Sequence, residues 1–309
     1  MMKRILALAT IALLTNVNSI FAQQEAMYTQ YMFNTLAVNP AYAGSRNVIS
    51  ATALLRKQWS GMDGAPKTST FTIDAPIHNK KVGLGLQLFK DKVGIVSNSG
   101  AVATYAYRIR MAEASLAFGI QGSLSQYRAD YTSVMLTEDG VGDDPAFSNN
   151  VNKTFLNFGA GVYYNSDKFY VGLSSPQLMP NVLPSYNNNT SQSKLNRQYF
   201  HLFLMSGYVV SLSEDFALKP SVLVKAVQGA PIEGDFNANL WIKNAFSIGA
   251  QYRTNANISG LVEIQATPQI RFGYAYDHSI TNIKRYSHEI MLRYEFGLER
   301  NKVLTPRYF

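Results

Sequence analysis

Beyond residue 46, apolar and polar residues alternate in about fourteen short stretches of the chain. In the last clear stretch, Ile290 and Leu292 share one face, whereas Arg293 and Glu295 share the other. Side chains along a β-strand point alternately to its two sides, so each stretch predicts a strand with one apolar and one polar face. Most of these strands have about ten residues, the length that crosses a bilayer when a strand is tilted. The pattern predicts an all-β fold, a transmembrane antiparallel β-barrel of about 14 strands.

The connections between the predicted strands are of two kinds. The strands span residues 47–58, 66–75, 81–91, 98–110, 112–126, 154–165, 167–175, 197–211, 214–225, 234–243, 245–254, 257–266, 268–277 and 286–298. If the first strand runs outward from the periplasm, all the inner turns are short, and every long connection is external. The external loops are then 59–65, 92–97, 127–153, 176–196, 226–233, 255–256 and 278–285. Outer-membrane barrels have this arrangement. An even number of strands places both chain termini in the periplasm.

The N-terminus has the features of a secretory signal peptide. Lys3 and Arg4 are followed by an apolar run over residues 5–14, and the small residue Ala22 precedes a polar stretch. The run is shorter than the roughly 20 residues that span a bilayer as a helix, and no later stretch approaches 18 consecutive apolar residues. A membrane protein without such helices must close its backbone hydrogen bonds as a barrel. The predicted division is a signal peptide (1–22), an N-terminal segment (23–46), the barrel (47–298) and a tail (299–309).

The N-terminal segment lies outside the strand pattern. Met27, Tyr31 and Leu36 are spaced to share one face of a helix, and Asn39-Pro40 predicts a turn after them. The segment is interpreted as a plug of the barrel, a cap on its periplasmic mouth or a grip for a partner.

Composition excludes several kinds of chemistry. The chain has no cysteine, so it forms no disulfide and no cysteine-ligated metal site. Its formal charge is +8, but Lys and Arg are scattered among the strands, which argues against a nucleic-acid partner. The positive charge favours anionic lipid of the outer membrane or an acidic partner.

No enzymatic site is expected. The four histidines, His78, His201, His278 and His288, are spread over the chain, and no nucleophile-elbow motif accompanies them. The sequence therefore predicts no catalytic residue, no cofactor and no dedicated metal site. The acidic loop 138–145 has two interpretations, a Ca²⁺ ligand set and a solvated turn.

Five sequence motifs resemble the PorP/SprF family of type IX secretion and gliding membrane proteins. They are Tyr28-Thr29-Gln30-Tyr31-Met32-Phe33-Asn34, Asn39-Pro40-Ala41-Tyr42-Ala43-Gly44-Ser45, Arg56-Lys57-Gln58-Trp59-Ser60-Gly61, Gly64-Ala65-Pro66-Lys67-Thr68 and the closing Thr305-Pro306-Arg307-Tyr308-Phe309. The resemblance implies an outer-membrane protein of a Gram-negative bacterium. It also implies two kinds of partner: secreted proteins held by their C-terminal sorting domains, and periplasmic peptidoglycan-binding or motor-ring proteins.

The candidate partner-binding residues come from these motifs and from exposed loops. They are Tyr31, Phe33, Asn34, Asn39, Pro40, Tyr42, Trp59, Asp143, Asp144, Tyr308 and Phe309. Trp59 fits equally an aromatic belt at the membrane interface and a contact hot spot.

The alternative function is an outer-membrane transporter or channel for small or hydrophobic solutes. A barrel of about fourteen strands is wide enough to enclose a cavity. The polar residues predicted to face inward would then favour anions; they are Arg108, Arg110, Gln121, Lys219, Lys225, Arg253 and Arg271.

Overall fold

A computed structural model describes residues 27–134, 149–179, 181–183, 196–198, 200–227, 230–281 and 284–296. Fourteen long strands form one antiparallel sheet. They are β1 (Ile49–Lys57), β2 (Lys67–Ile77), β3 (Val82–Val93), β4 (Val96–Arg110), β5 (Ala114–Ala129), β6 (Val151–Ser166), β7 (Phe169–Ser175), β10 (His201–Tyr208), β12 (Phe216–Val227), β13 (Glu233–Ile242), β14 (Phe246–Arg253), β15 (Asn257–Gln265), β16 (Ile270–Ser279) and β17 (Tyr286–Phe296). Three short strands complete the set: β8 (Asn181–Leu183) pairs with β9 (Asn196–Gln198), and β11 (Val210–Ser211) pairs with β12.

The sheet closes on itself. Each long strand pairs with its neighbours in the sequence, and β1 pairs with β17 from Ile49 opposite Phe296 to Lys57 opposite His288. The predicted antiparallel barrel of fourteen strands is confirmed. Closure pairs the edges that an open sheet would leave exposed. No helix in the described part of the chain is long and apolar enough to span a membrane.

The two faces of the wall differ in the way that the alternation predicts. Leu55 and Ile120 point outward and are 57% and 62% exposed, whereas inward neighbours such as Arg56 are buried. Each of the fourteen long strands carries exposed large apolar side chains on its outer face, far more in total than a water-facing protein of this size exposes. This surface is the lipid-facing band, and the polar face lines the lumen.

The connections sort to the two ends of the barrel. At one end, here called the short-turn end, every connection has four residues or fewer: 78–81, 111–113, 167–168, 212–215, 243–245 and 266–269. The opposite long-loop end carries 58–66, 94–95, 130–150, 176–200, 228–232, 254–256 and 280–285.

The predicted external loop 92–97 is wrong, because β3 and β4 continue until only Gly94 and Ile95 separate them. Gly94 has a φ of +56°, which glycine adopts without steric cost. Polar residues on both faces of these strand ends hid the alternation from the sequence pattern.

Residues 27–46 lie inside the barrel and are here called the plug. They form three 3₁₀ turns, η1 (Tyr31–Phe33), η2 (Thr35–Ala37) and η3 (Pro40–Tyr42), in place of the expected helical face. Short 3₁₀ turns suit this segment because its polar groups form hydrogen bonds with the wall, whereas a longer helix would pair its backbone groups internally. The apolar residues that defined the face still pack together, since Tyr31 and Leu36 are buried in one cluster and Met27 packs against it.

The core of the protein is the contact between plug and wall. One cluster joins Tyr31, Leu36 and Tyr42 of the plug to wall residues that include Tyr163 and Met205. A second cluster surrounds Phe33 and is built from wall residues Val209, Ala217, Trp241, Leu261, Ala275 and Met291. The plug thus supplies apolar side chains to both clusters, and burying them favours its retention in the lumen.

Candidate functional site

The plug runs between the two ends of the lumen. At its start, the carbonyl oxygen of Tyr28 accepts a hydrogen bond of 3.2 Å from Arg253, the last residue of β14 at the long-loop end. At its end, the Arg46 Nε lies 2.5 Å from Glu295, which is next to the last residue of β17 at the short-turn end. The plug therefore occupies the path that a solute would follow through the barrel.

A buried ion cluster holds the start of the plug. Arg56 lies 2.6 Å from Asp277 and 2.8 Å from Glu289, and all three side chains project inward from neighbouring strands. The Glu289 carboxylate also accepts the backbone N–H groups of Thr29 and Gln30, at 2.9 and 2.8 Å. A fully buried carboxylate needs several donors to offset its lost hydration, and the plug backbone supplies two of them.

The hydroxyl of Thr29 extends the same cluster. It accepts a hydrogen bond of 2.6 Å from Arg56 and donates to both oxygens of Asp277 at 2.9 Å. One plug residue thus joins the cation and a carboxylate of the wall. The arrangement fixes the position of the plug along the barrel axis as well as its orientation.

Asparagine side chains fix the middle of the plug. The amide of Asn39 donates to the carbonyl oxygen of Val162 at 3.0 Å, and its oxygen accepts the Ala41 N–H at 2.9 Å. Asn34 accepts a hydrogen bond of 3.0 Å from the hydroxyl of Thr72. The bond to Ala41 satisfies a backbone N–H group at the start of η3, and the other two bonds join the plug to the wall.

Two charged wall residues bind the backbone near the end of the plug. Arg108 donates to the carbonyl oxygens of Ala43 and Gly44 at 3.0 and 2.8 Å. Asp74 accepts the Gly44 N–H at 2.7 Å. A cation therefore binds the carbonyl groups and a carboxylate binds the N–H group, so each charge meets a complementary peptide dipole.

Glycines in the wall let the plug backbone approach closely. A methyl group added at Gly83 would overlap the carbonyl of Ala43, and one at Gly119 would overlap the backbone of Pro40 and Ala41. Similar overlaps arise between Gly161 and Asn39. The wall thus has recesses that match the plug at several strands, which is evidence of a fitted contact.

Most of the predicted inward residues line the lumen. Arg108, Lys225 and Arg253 are buried, Gln121 donates to the carbonyl of Pro176, and Lys219 and Arg271 border a cavity described below. Arg110 differs, because it is exposed near the short-turn end and donates to Asn47.

Sequence reasoning missed the residues that anchor the plug. Arg56, Asp277, Glu289 and Asp74 all lie on polar faces of strands that the alternation identified. The available signal was their charge, since an acid or a base on the inward face of a strand needs a partner in the lumen.

The candidate partner-binding residues occupy three kinds of position. Those of the plug, Tyr31, Phe33, Asn34, Asn39, Pro40 and Tyr42, are buried inside the barrel. Trp59 is half-buried at the long-loop end, where its backbone N–H donates to the Ser287 hydroxyl at 3.3 Å. Asp143, Asp144, Tyr308 and Phe309 lie outside the described residues, as does the acidic loop 138–145. Their binding roles stay predictions.

The signal peptide and the periplasmic position of both termini also stay predictions, because residues 1–26 and 297–309 are not described.

The closed sheet, its apolar outer band and its polar, filled lumen define an outer-membrane β-barrel protein. Residues 20–294 match the family described as type IX secretion system membrane protein PorP/SprF. The chain belongs to this family, and the resemblance seen in its motifs is confirmed. It is therefore an outer-membrane barrel of the type IX secretion system.

Comparison with solved structures gives the same fold. The CymD monoaromatic hydrocarbon channel is 11% identical over 91% of this chain and 95% of that chain, with a TM-score of 0.51. The TodX deltaS2S3 mutant monoaromatic hydrocarbon channel is 8% identical over 84% of this chain and 93% of that chain, with a TM-score of 0.50. Omp33 of Acinetobacter baumannii is 9% identical over 81% and 99%, with a TM-score of 0.44. No curated protein matches the chain.

Proposed function

We propose that this protein is a docking platform of the type IX system in the outer membrane of a Gram-negative bacterium. It holds secreted surface proteins by their C-terminal sorting domains and is linked to periplasmic peptidoglycan-binding or motor-ring proteins. The observation that carries the proposal is the filled lumen. Because the protein's own chain occupies the interior, the ends and loops of the barrel are the surfaces that remain for binding partners.

The anchoring of the plug supports docking over transport. A solute channel of this width would require the plug to leave the lumen, which separates Thr29 and Gln30 from a buried carboxylate and a buried arginine. Each of these hydrogen bonds to a charged group contributes about 1.5–3 kcal/mol. The plug therefore closes the lumen under resting conditions.

The sorting of the connections supports an orientation for the platform. The long-loop end faces the cell exterior and receives the cargo, and the short-turn end faces the periplasm. Both chain termini are proposed to be periplasmic. The connections 130–150 and 176–200 are the longest at this end and are the proposed contact regions for a protein partner.

Affinity purification tests the proposal. The tagged protein is extracted from native outer membranes in mild detergent, and the proteins that co-purify are identified by mass spectrometry. Docking predicts secreted proteins that share a C-terminal sorting domain, together with a periplasmic partner. A barrel that purifies alone, and that conducts ions or solute in liposomes, would reverse the assignment in favour of a channel.

Loop replacement locates the binding surface. Ala129 and Val151 are opposite each other in the β5–β6 pair, so a short turn can replace residues 131–149 without disturbing the sheet. A second variant replaces residues 181–198. If either loop grips cargo, surface proteins appear in the medium while the barrel keeps its heat-modifiable migration on gels. Retention of surface proteins in both variants would exclude these loops as the grip.

A further inference from the structure

A small cavity lies between the plug and the wall at the short-turn end of the lumen. Its volume is about 40 Å³, enough for a few waters or one small polyatomic ion. Trp241 is next to the last residue of β13, and Arg271 is the second residue of β16, which places the cavity close to the barrel mouth. The polar residues that border it and enter the argument are Arg46, Lys219, Ser221, Trp241, Arg271 and Arg293.

Positive charge dominates the border of this cavity. Glu295 pairs with Arg46 at 2.5 Å, and Glu263 pairs with Arg271 at 2.8 Å. Arg293 is only 3% exposed, and within the described chain it has no carboxylate at ion-pair distance; its Nε donates to the hydroxyl of Thr52 at 3.2 Å. The carboxylates that act on Arg293 electrostatically include Glu263 and Glu295, and each of these pairs at short range with another arginine. An anion directly beside the buried Arg293 guanidinium would therefore be stabilising.

Two cations that border the cavity, Lys219 and Arg271, lie over the indole ring of Trp241. The ammonium of Lys219 lies 4.1 Å from the centre of the indole ring, and the guanidinium carbon of Arg271 lies 5.1 Å from it. Glu263, which pairs with Arg271 and also acts on Lys219, offsets part of the repulsion between these two cations, and an anion in the cavity would offset more of it. The cation–π attraction between the indole ring and each cation is modest compared with these charge–charge interactions.

The indole also offers a donor without a partner. Trp241 is 3% exposed, and its Nε1–H has no hydrogen-bond partner among the residues that the structure describes. Buried donors are normally satisfied, so such a group at a cavity wall indicates a missing acceptor. The oxygen of Asn239, another bordering residue, lies against the backbone of Gly249 and also has no hydrogen-bond partner among the described residues, so it would accept from a water or from a protonated oxygen of the ligand.

We propose that this cavity is a binding site for a small oxyanion, a phosphate or carboxylate group. Guanidinium and indole N–H groups are directional donors that suit the oxygens of such a group. The site is separate from the loops proposed to hold cargo. At the short-turn end it is accessible to ligands on the side of the membrane proposed to be the periplasm.

Tryptophan fluorescence tests the site directly, because the chain has only two tryptophans. In a Trp59→Phe background, Trp241 is the sole reporter. The purified protein in detergent is titrated with inorganic phosphate and, separately, with acetate, at an ionic strength held constant with the sodium salt of a bulky sulfonate. A saturable change in fluorescence is expected for at least one anion, and the more effective anion identifies the class of ligand.

Three variants separate specific binding from general screening. Arg293→Gln and Lys219→Met each remove one bordering cation and should weaken binding by about tenfold or more, since hydrogen bonds to charged groups are the strong ones. Lys153→Gln removes an exposed cation at the start of β6, near the long-loop end, and should leave binding unchanged. Heat-modifiable migration checks that each barrel is folded. The absence of a saturable change with both anions, or equal affinity in Arg293→Gln, Lys219→Met and the parent, would overturn the proposal.

Discussion

Replacing the Glu289 carboxylate should release the plug while leaving the barrel intact. Glu289→Gln keeps the size of the side chain but removes the charge that pairs with Arg56 at 2.8 Å. The amide also directs a donor toward the backbone N–H groups of Thr29 and Gln30, which now bond to the carboxylate. Arg56 and Glu289 are both wall residues, so loss of their ion pair weakens the contact between β1 and β17. The plug loses charge-assisted hydrogen bonds from Thr29 and Gln30, and such bonds contribute about 1.5–3 kcal/mol each.

The change in the free energy of plug opening can be measured as a change in the rate at which a thiol on the plug is labelled. The chain lacks cysteine, so Val38→Cys places a single thiol on the buried plug, away from the cavity at the short-turn end. A thiol reagent modifies this residue only when the plug opens, and each 1.4 kcal/mol changes that population about tenfold. Loss of about 3 kcal/mol from these two hydrogen bonds predicts labelling faster by about two orders of magnitude in Glu289→Gln. Planar-bilayer recordings should show ion conductance in the same variant.

Glu214→Gln is the matched control, because Glu214 is exposed in the short turn 212–215. It should label at the rate of the parent. Equal labelling of the Glu289→Gln and Glu214→Gln proteins, with both barrels heat-modifiable, would show that the ion cluster does not hold the plug.

Three further changes test other contacts. Gly119→Val inserts atoms where the plug backbone lies and should speed labelling of the plug thiol at least tenfold, whereas Gly260→Val, whose added group meets open space, should not. Arg253→Met leaves Asp235 buried without its cation and should lower the temperature at which the barrel unfolds on gels. Trp59→Ala should leave plug labelling unchanged but reduce co-purification of secreted proteins if Trp59 is a contact hot spot; unchanged recovery would favour the interface-belt role.

The sequence predicted the barrel well because each strand carries its own signal. Period-two alternation identifies a strand locally, and the inward and outward faces follow from it, as Leu55 and Arg56 show. The pattern failed where both faces are polar, as at Lys90, Asp91 and Lys92, because alternation disappears beyond the membrane. Strand ends were therefore less predictable than strand number.

The position of the plug was much harder to predict. Its residues form short 3₁₀ turns, which have no distinctive periodicity, and their partners lie far away in the sequence. Asn39 shows the difficulty: Asn-Pro predicts a turn, but only the fold brings its side chain to the carbonyl of Val162. A plug, a cap and a grip were equally compatible with residues 23–46. Glycines such as Gly119 gave no separate signal, because glycine is also expected in strand bends.

The ion cluster links barrel closure to plug binding. Arg56 and Glu289 are directly opposite in the pair of β1 and β17, the first and last strands, which are 233 residues apart in the chain at these positions. The cluster can form only when the barrel closes, and it then presents the charges that bind Thr29. The plug precedes β1 directly, so its binding also places the first strand beside the last. Closure and plugging therefore stabilise each other.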